Sequence, residues 1–460
     1  MTAPEPATAA PPETVQPETV LNERGLSRQL SSVQQTMRAL GGAIGTGMFL
    51  LVGLAVQIAG PAIIVSYVIV AGISLLMGRA LTDLSVAHPT AGAFGVYADL
   101  YLSPLAGYAV RVSYWAMEVI ATGGQLVAAS IYMHFWFPSV PAPVWIASFA
   151  AVLLFANSRA VGRLGAVESW LVMIKLVAIA AFIAIALVFV FGAAGRPAIG
   201  LHNLTAGGFA PFGAAGIGLG CCFVLYSFIG IEIVGVTSGE AADPARTIPK
   251  AVRRLVFGLS ALYLVTVTLL AAVVPWQQLG VAKSPFVTAL TSLGIPAAAG
   301  VMNFVVLSAA LSSANANLYL ISRTLFSLAR AGYAPRALGD VNARNTPVKA
   351  LLASGGWLSA AAVVAAVWPD TAYEKLVAVS LFGALFVWLT IFVTHIAFRR
   401  PRRPIGSYVG AASIVAILVG TRWVPGLGAT LLAGAVWLAL VVLGYFGSGR
   451  RLKQRSSIAA

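Results

Sequence analysis

Apolar segments of membrane-spanning length follow one another along this chain from residue 36 to residue 447. Hydrophobic residues make up 59% of the 460 residues and charged residues only 9%, whereas a soluble domain is about a quarter charged. Runs of about 20 apolar residues are typical of helices that cross a bilayer. The sequence therefore predicts an all-α integral membrane protein. The twelve predicted transmembrane helices span 36–58, 61–80, 105–136, 141–158, 166–192, 212–238, 251–275, 285–329, 348–367, 375–398, 405–421 and 426–447.

The two ends of the chain differ in composition from the apolar part. Residues 1–24 contain five prolines and several acids but no basic region, which predicts a disordered cytoplasmic tail rather than a signal peptide. Residues 449–460 predict a basic cytoplasmic tail, so residues 25–448 form one transmembrane domain. Within that domain, the window 285–329 is too long for a single crossing. Part of it is expected to continue as a helix into the cytoplasm.

The basic residues that give the net charge of +15 are concentrated in loops on one side of the membrane, so the charge does not indicate a nucleic-acid partner. When successive loops are assigned to alternate sides, nearly every basic residue falls on the side of the N-terminus. This side includes FRRPRRP at 398–404 and GRRLKQR at 449–455. Such a positive-inside bias predicts a cytoplasmic-membrane protein with both termini in the cytoplasm. The opposite side receives only Arg196, Lys283, Lys375 and Arg422.

Two glycine clusters interrupt otherwise apolar spans. The first is GGAIGTGMF at 41–49, and the second begins at Gly213 and reads GAAGIGLGCCFVLYSFIGIEIVGVTSGE. Glycine inside a helix costs roughly 1 kcal/mol relative to alanine, so a purely structural span has no reason to contain it. The alternative explanation is close helix packing through small residues.

The positions of the two clusters favour broken helices. They lie in the first and sixth spans, which run in opposite directions across the bilayer. An inverted repeat of five plus five helices produces this arrangement and places a transport site at the breaks. The first repeat is predicted at about 36–192, the second at about 212–398, and two further helices at about 405–447.

An unwound segment exposes backbone groups that lipid cannot satisfy. Exposed amides beside a half-helix N-terminus favour a carboxylate, and free carbonyls favour an ammonium group. Amino acids carry both groups at a short, fixed separation. The breaks therefore predict an amino acid site.

Four stretches of the sequence resemble the bacterial amino acid permeases of the amino acid–polyamine–organocation (APC) superfamily. The resemblance implies the LeuT-like fold of five plus five inverted helices with two C-terminal helices, and secondary transport of amino acids by alternating access. The stretches are RGLSRQLSSVQQTMRALGGAIGTGMF, AVESWLVMIKLVAI, FVLYSFIGIEIVGVTSGEAADPARTIPKAVRR and SRTLFSLARAGYAPRALGDVNARNTPV.

The resemblance also implies which residues bind the substrate. Backbone amides of the first break would hold the carboxylate, and carbonyls of both breaks would receive the amino group. Two aromatic residues would occlude the bound substrate, although ordinary packed aromatics are the alternative. The carboxylate residues are Gly45, Thr46 and Gly47; the carbonyls are those of Ala43 and Ile44 and those near Tyr226, Phe228 and Ile229; the occluding residues are Tyr226 and Phe228.

Three ionisable residues inside the predicted spans are candidates for coupling or gating, because buried charge is costly. Lys175 matches a lysine that stands in for a sodium ion in related permeases and would tether the fifth helix to the broken first helix. It could change protonation during the cycle or serve as a static hydrogen-bonding group. Glu118 could pair with Lys175. Glu232 matches a glutamate of the family's sixth helix, as a gating or proton-linked carboxylate or as a structural partner of nearby backbone.

One residue departs from the family pattern. Gln125 stands where many close relatives have a glutamate that lines the central site. An amide carries no charge, so this substitution favours neutral amino acids over arginine, lysine or polyamines.

The sequence thus predicts an importer of neutral amino acids that is coupled to a proton gradient and uses no metal or other cofactor. An amino acid exchanger, or a transporter of a related amine or a γ-aminobutyrate-like substrate, is the nearest alternative. A membrane-embedded enzyme is disfavoured because the sequence has no HExxH, GxSxG or His/Asp cluster, and a sensor because the tails are short. The expected partners are the amino acid, a proton and the lipid bilayer, and the oligomeric state is left open.

Overall fold

The computed structural model describes residues 32–447, except 91, 160, 194–196, 242, 331 and 343–345. The tails predicted at 1–24 and 449–460 lie outside the described residues. Where the chain is described, its regular elements are helices, without a β-strand. The α-helices are α1 Ser32–Ala43, α2 Val52–Ala59, α3 Ile63–Ala87, α4 Ala93–Tyr101, α5 Pro104–His134, α6 Ala142–Arg159, α7 Val161–Phe191, α8 Gly213–Phe228, α9 Ile233–Val236, α10 Pro244–Val273, α11 Pro285–Ser292, α12 Pro296–Arg330, α13 Val348–Val367, α14 Ala372–Phe398, α15 Ile405–Gly420 and α16 Thr430–Gly447.

Membrane-length helices make up most of the described chain. Ten helical stretches are long and apolar enough to cross a membrane; the stretch Gln35–Ala87 contains the first two predicted spans, and the shorter apolar helix Ala142–Ser158 lies at the fourth. Their outer faces carry large apolar side chains, such as Trp170 with 73% and Leu432 with 71% of its surface exposed. Lipid solvates such side chains, and helices satisfy their own backbone groups in hydrocarbon. The structure confirms the prediction of an all-helical multi-pass membrane protein.

The eighth predicted window consists of two helices, which corrects the expectation of one long helix. Helix α11 ends at Ser292, Gly294 takes a left-handed φ of +72°, and α12 begins at Pro296. Glycine after a helix end and proline at a helix start are the usual stop and start residues. The remaining helix α12 has 35 residues, about 52 Å, which is still longer than the hydrocarbon core of about 30 Å.

The loop after the second span also contains a helix that the sequence did not predict. Helix α3 continues to Ala87, seven residues beyond the predicted window, and α4 follows at Ala93–Tyr101. The ring of Phe94 on α4 packs edge-on against Tyr114 on α5, with ring centroids 4.9 Å apart. The short helix is thereby fixed beside the central helix α5.

Both glycine-rich spans are interrupted, as the sequence predicts. The first span runs as α1, a break, a π turn and α2, and the sixth runs as α8, a break and α9. The two breaks lie against each other, because a Cβ atom on Gly230 would come within 2.9 Å of the backbone nitrogen of Ala43. Close contact between the two broken segments defines the centre of the bundle.

A polar cluster joins three helices where α3 ends. Asp83 Oδ2 accepts a hydrogen bond from Arg399 and lies 3.0 Å from His395 Nε2, while His395 Nδ1 lies 2.7 Å from Ser407 Oγ. Asp83 belongs to α3, His395 to α14 and Ser407 to α15. We name this set the Asp83 clamp, because it holds α3 to α14 and α15 at one end of the bundle.

Candidate functional site

The first break follows α1 at Ala43. A single π turn forms over Gly47–Leu51, and α2 continues the span. The amide of Phe49 bonds backward to Gly45 O at 3.3 Å. The first N–H groups of a helix have no acceptor within that helix. The N–H groups of residues 46–48 can therefore donate to another acceptor, such as a bound anion. They form a positive helix end inside the bundle, which favours an anion.

Gly47 is required by the close approach of the sixth span. A Cβ atom at this position would lie 3.0 Å from Ser227 Cα, which is backbone that cannot move aside cheaply. Thr46 beside it is 2% exposed, and its carbonyl accepts a hydrogen bond from Tyr373 Oη at 3.3 Å. The restarted helix is therefore held on one side by α8 and on the other by α14.

The second break is fastened by its own glutamate. After α8 ends at Phe228, Ile229 is extended and Gly230 adopts φ +108°. The Gly230 amide donates to both oxygens of Glu232, at 3.1 and 3.0 Å, and Trp388 Nε1 donates to Oε2 at 3.3 Å. These hydrogen bonds agree with a role of Glu232 as a structural partner of nearby backbone, which was one of the two roles considered for it. A gating role for this residue stays a prediction.

Lys175 joins the fifth span to the first break. Its ammonium is fully buried and donates to the carbonyls of Gly41 at 3.1 Å and Ile44 at 3.0 Å, with Ser313 Oγ at 3.4 Å. The two carbonyls lie where α1 loses its regular bonding. The geometry is the tether that the resemblance implies for this lysine. A change of its protonation during transport stays a prediction.

A small polar cavity lies between the two breaks and helices α5, α12 and α14. It contains most of the predicted substrate-binding residues together with Glu118. One side is formed by the restarted helix, and the facing side by polar residues of α5. The lining residues are Gly42, Ala43, Gly45, Thr46, Gly47, Met117, Glu118, Ala121, Gln125, Tyr226, Ile229, Gly230, Ile233, Asn317 and Ser380.

Two predicted contacts are corrected by the structure. Ile44 is not among the described residues that line the cavity. Its carbonyl accepts hydrogen bonds from Lys175 and, at 3.3 Å, from Ser313 instead of facing a substrate. Phe228 packs instead against Tyr263 and Tyr67, with ring centroids 5.4 and 6.3 Å away. Residues two apart on a helix point about 200° apart. Tyr226 faces the cavity, so Phe228 faces away from it.

The Ala43 carbonyl is also less available than predicted. Ala43 lines the cavity, but its carbonyl accepts hydrogen bonds from Tyr263 Oη at 3.2 Å and from the Gly45 amide at 3.1 Å. A carbonyl oxygen has two lone pairs, and both are used by these donors. Ile229 lines the cavity just after α8 ends, where helix carbonyls lack internal partners.

Several site residues were missed by the sequence reading. Met117 and Ala121 on α5, Asn317 on α12 and Ser380 on α14 line the cavity. Some of these lining residues could have been predicted from helical periodicity, because residues four apart lie on the same face of a helix. Ala121 lies four residues from Gln125, and Ser313, which contacts Lys175, lies four residues before Asn317. Ser380 has no local signal, since its helix enters the site from the second repeat.

Two interrupted membrane helices around a buried polar cavity define the class of secondary transporters. The sequence model of the family described as "Amino acid permease" matches residues 34–458. This chain belongs to the amino acid permease family of the APC superfamily, whose members are transporters and not enzymes.

Three relatives illustrate the similarity. The chain is 34% identical over 449 residues to the "Uncharacterized amino acid permease YtnA" of Bacillus subtilis (strain 168), covering 94% of this chain and 97% of the relative. It is 33% identical over 434 residues to the aromatic amino acid transport protein AroP of Escherichia coli (strain K12), covering 91% and 95%. It is 33% identical over 442 residues to the γ-aminobutyric acid permease of Bacillus subtilis (strain 168), covering 92% and 94%.

Proposed function

We propose that this protein is a secondary active transporter that imports net-neutral amino acids across the cytoplasmic membrane. The main support for this proposal is the cavity between the two breaks. There the positive end of the restarted helix, at Thr46 and Gly47, faces polar residues of α5. A substrate carboxylate on those amides is the ligand that the helix end favours. The named substrates of the relatives are aromatic amino acids in one case and γ-aminobutyric acid in another, which supports transport of amino-group-bearing carboxylates.

Transport requires that the cavity open to one side and then to the other. We propose that the two broken segments move against the rest of the bundle, since both contact the cavity and each other. The positive-inside bias of the loops supports a cytoplasmic location for both termini. In this orientation α1 and α9 close the cavity on the cytoplasmic side, and α2 and α8 close it on the outer side.

Lys175 is the proposed coupling group for a proton. A protonated ammonium holds the carbonyls of Gly41 and Ile44 more strongly than a neutral amine does. Protonation therefore biases the position of α1 relative to α7.

Reconstitution tests the proposed function. The purified chain is placed in proteoliposomes, an inward proton gradient is imposed, and uptake of radiolabelled neutral amino acids is followed. We expect accumulation above equilibrium that a protonophore abolishes. Counterflow without gradient-driven accumulation would instead assign the chain as an exchanger. Failure of every amino acid to enter, exchange or raise the thermal stability of the purified protein would contradict amino acid transport altogether.

The substitution Gln125→Glu is expected to shift selectivity towards cationic amino acids. Gln125 lines the cavity, and its Oε1 has no hydrogen-bond partner in the described residues. A carboxylate there attracts a second positive charge in a low-dielectric site, so lysine should compete about tenfold better against a neutral substrate. Competition assays with lysine and valine measure this shift. The control Gln57→Glu makes the same change outside the cavity lining, and an unaltered profile for Gln125→Glu would remove this residue from the site.

A further inference from the structure

Glu118 is a buried carboxylate in the cavity wall. It is 2% exposed and lines the cavity, and its Oε2 has no hydrogen-bond partner in the described residues. Tyr114, one helical turn earlier, places its buried hydroxyl beside the same carboxyl. A buried charge without a partner is costly in the middle of a membrane protein. A positive group inside the cavity would let this carboxyl stay ionised, whereas without one it is stable only with its proton.

That positive group does not come from the cavity wall. Among the described residues that line the cavity there is no lysine, arginine or histidine. The buried ammonium of Lys175 is held behind the broken segment by the carbonyls of Gly41 and Ile44. Glu232, the other buried acid at the breaks, already accepts bonds from Gly230 and Trp388. Of these two acids only Glu118 lines the cavity, so the transported ligand is the group that can bring a positive charge to it.

The backbone groups of the first break favour a particular spacing of charges on that ligand. The carbonyls of Ala43 and Ile44, expected to receive an α-ammonium group, already accept bonds from Tyr263, Lys175 and Ser313. The amides of residues 46–48 remain available for a carboxylate. The cavity therefore has an anion-binding end at the restarted helix and a cation-binding end at Glu118. An α-ammonium still finds the carbonyls at the end of α8 near Ile229, whereas an ammonium farther along the ligand can pair with the carboxylate of Glu118.

We propose, on the basis of the proposed amino acid transport, that Glu118 selects ω-amino acids by pairing with their distal ammonium group. The carboxylate of the substrate lies on the amides at Thr46 and Gly47. The methylene chain between the two charges lies against apolar lining residues. Met117, Ala121 and Ile233 supply that apolar surface, and each of them is less than 10% exposed. Such a zwitterion is net neutral, which agrees with the amide at Gln125.

The test compares ligands that differ only in where the ammonium is attached. Binding to the purified full-length protein is measured for β-alanine, γ-aminobutyrate, 5-aminopentanoate and 6-aminohexanoate, and for valine and phenylalanine as α-amino acids. In the wild type, at least one ω-amino acid is expected to bind more tightly than valine. Glu118→Gln is expected to lower the affinity for that ω-amino acid by about tenfold or more relative to any change in the affinity for valine. Glu374→Gln, an acid of α14 outside the cavity lining, is the matched control and should leave the ratio unchanged.

A second variant tests the position of the charge. Glu118→Asp withdraws the carboxylate by one carbon–carbon bond, about 1.5 Å. The preferred chain length in the ω-amino acid series should therefore become one methylene longer. This variant keeps the charge, so it remains informative if Glu118→Gln does not fold.

The outcomes separate this proposal from the proposed function. If α-amino acids bind but no ω-amino acid does, or if Glu118→Gln weakens both classes equally, selection by Glu118 is wrong while amino acid transport stands. If Glu118→Gln abolishes gradient-driven accumulation of all substrates with their affinities unchanged, Glu118 carries a proton, and the proposal is overturned. If neither class binds to the wild type, the proposed function itself fails.

Discussion

Replacing Gly230 by alanine is expected to abolish substrate uptake and to lower the thermal stability of the purified protein. Gly230 adopts φ +108°, a conformation that costs a residue with a Cβ atom about 1–3 kcal/mol. The added Cβ would also lie 2.9 Å from the backbone nitrogen and 3.0 Å from the Cα of Ala43. Both neighbours are backbone, so the two breaks must move apart. The Gly230 amide would then lose its bonds to Glu232, which fasten the second break.

The matched control for this substitution lies in the same interrupted span. At Gly218 of α8 an added Cβ atom meets nothing within 4 Å. Gly218→Ala should therefore be neutral or stabilise the protein by up to about 1 kcal/mol, the difference in helix propensity. Thermal unfolding in detergent and uptake in proteoliposomes measure both variants. Normal uptake by Gly230→Ala would show that the contact between the breaks is not needed for transport.

Lys175→Ala is expected to eliminate gradient-driven accumulation. Without the ammonium, the buried carbonyls of Gly41 and Ile44 depend on Ser313, whose hydroxyl has one hydrogen and can serve only one of them at a time. Leaving a buried carbonyl unpaired costs about 1–3 kcal/mol. The first break therefore loses its defined position relative to α7, and the proposed coupling group is removed. Exchange of substrate across the membrane is expected to survive better than accumulation.

The adjacent position provides the control for Lys175→Ala. Ile174 is 40% exposed on the outer face of α7, so Ile174→Ala truncates a side chain of the same helix that faces lipid. Its accumulation ratio should remain that of the wild type. Comparing accumulation with counterflow for the two variants separates coupling from binding. Concentrative uptake by Lys175→Ala at the wild-type level would exclude coupling through this lysine.

The breaks of the first and sixth spans were predictable because glycine is costly in a regular helix. The glycine clusters around Gly45 and Gly230 therefore indicate the unwound segments from sequence alone. The division of the eighth window was less accessible. Gly294 and Pro296 are stop and start residues, but they lie within an apolar stretch that reads as one span. Helix α4 was missed because nine residues, Ala93–Tyr101, are too few for a clear amphipathic pattern.

Local sequence patterns indicate which residues of the broken spans line the cavity, but they do not indicate contacts between distant helices. Thr46 and Gly47 follow from a local motif, whereas the orientation of Phe228 depends on the exact register of α8 with its neighbours. The loss of the Ile44 carbonyl to Ser313 is a contact between residues 269 positions apart in the chain. Packing of distant helices decides such contacts, and no local pattern encodes it. The sequence left open whether Glu118 pairs with Lys175, and the fold places Glu118 in the cavity lining instead.

The Asp83 clamp restricts how the bundle can rearrange. Arg399 and His395 both contact one oxygen of the half-buried Asp83 carboxylate. Separating α3 from α14 would therefore remove both partners of that carboxylate at once. A conformational cycle that keeps these contacts must carry α3, α14 and α15 as a single rigid unit. The interrupted spans would then pivot on this platform, and the hinges would lie at residues 44–46 and 229–232.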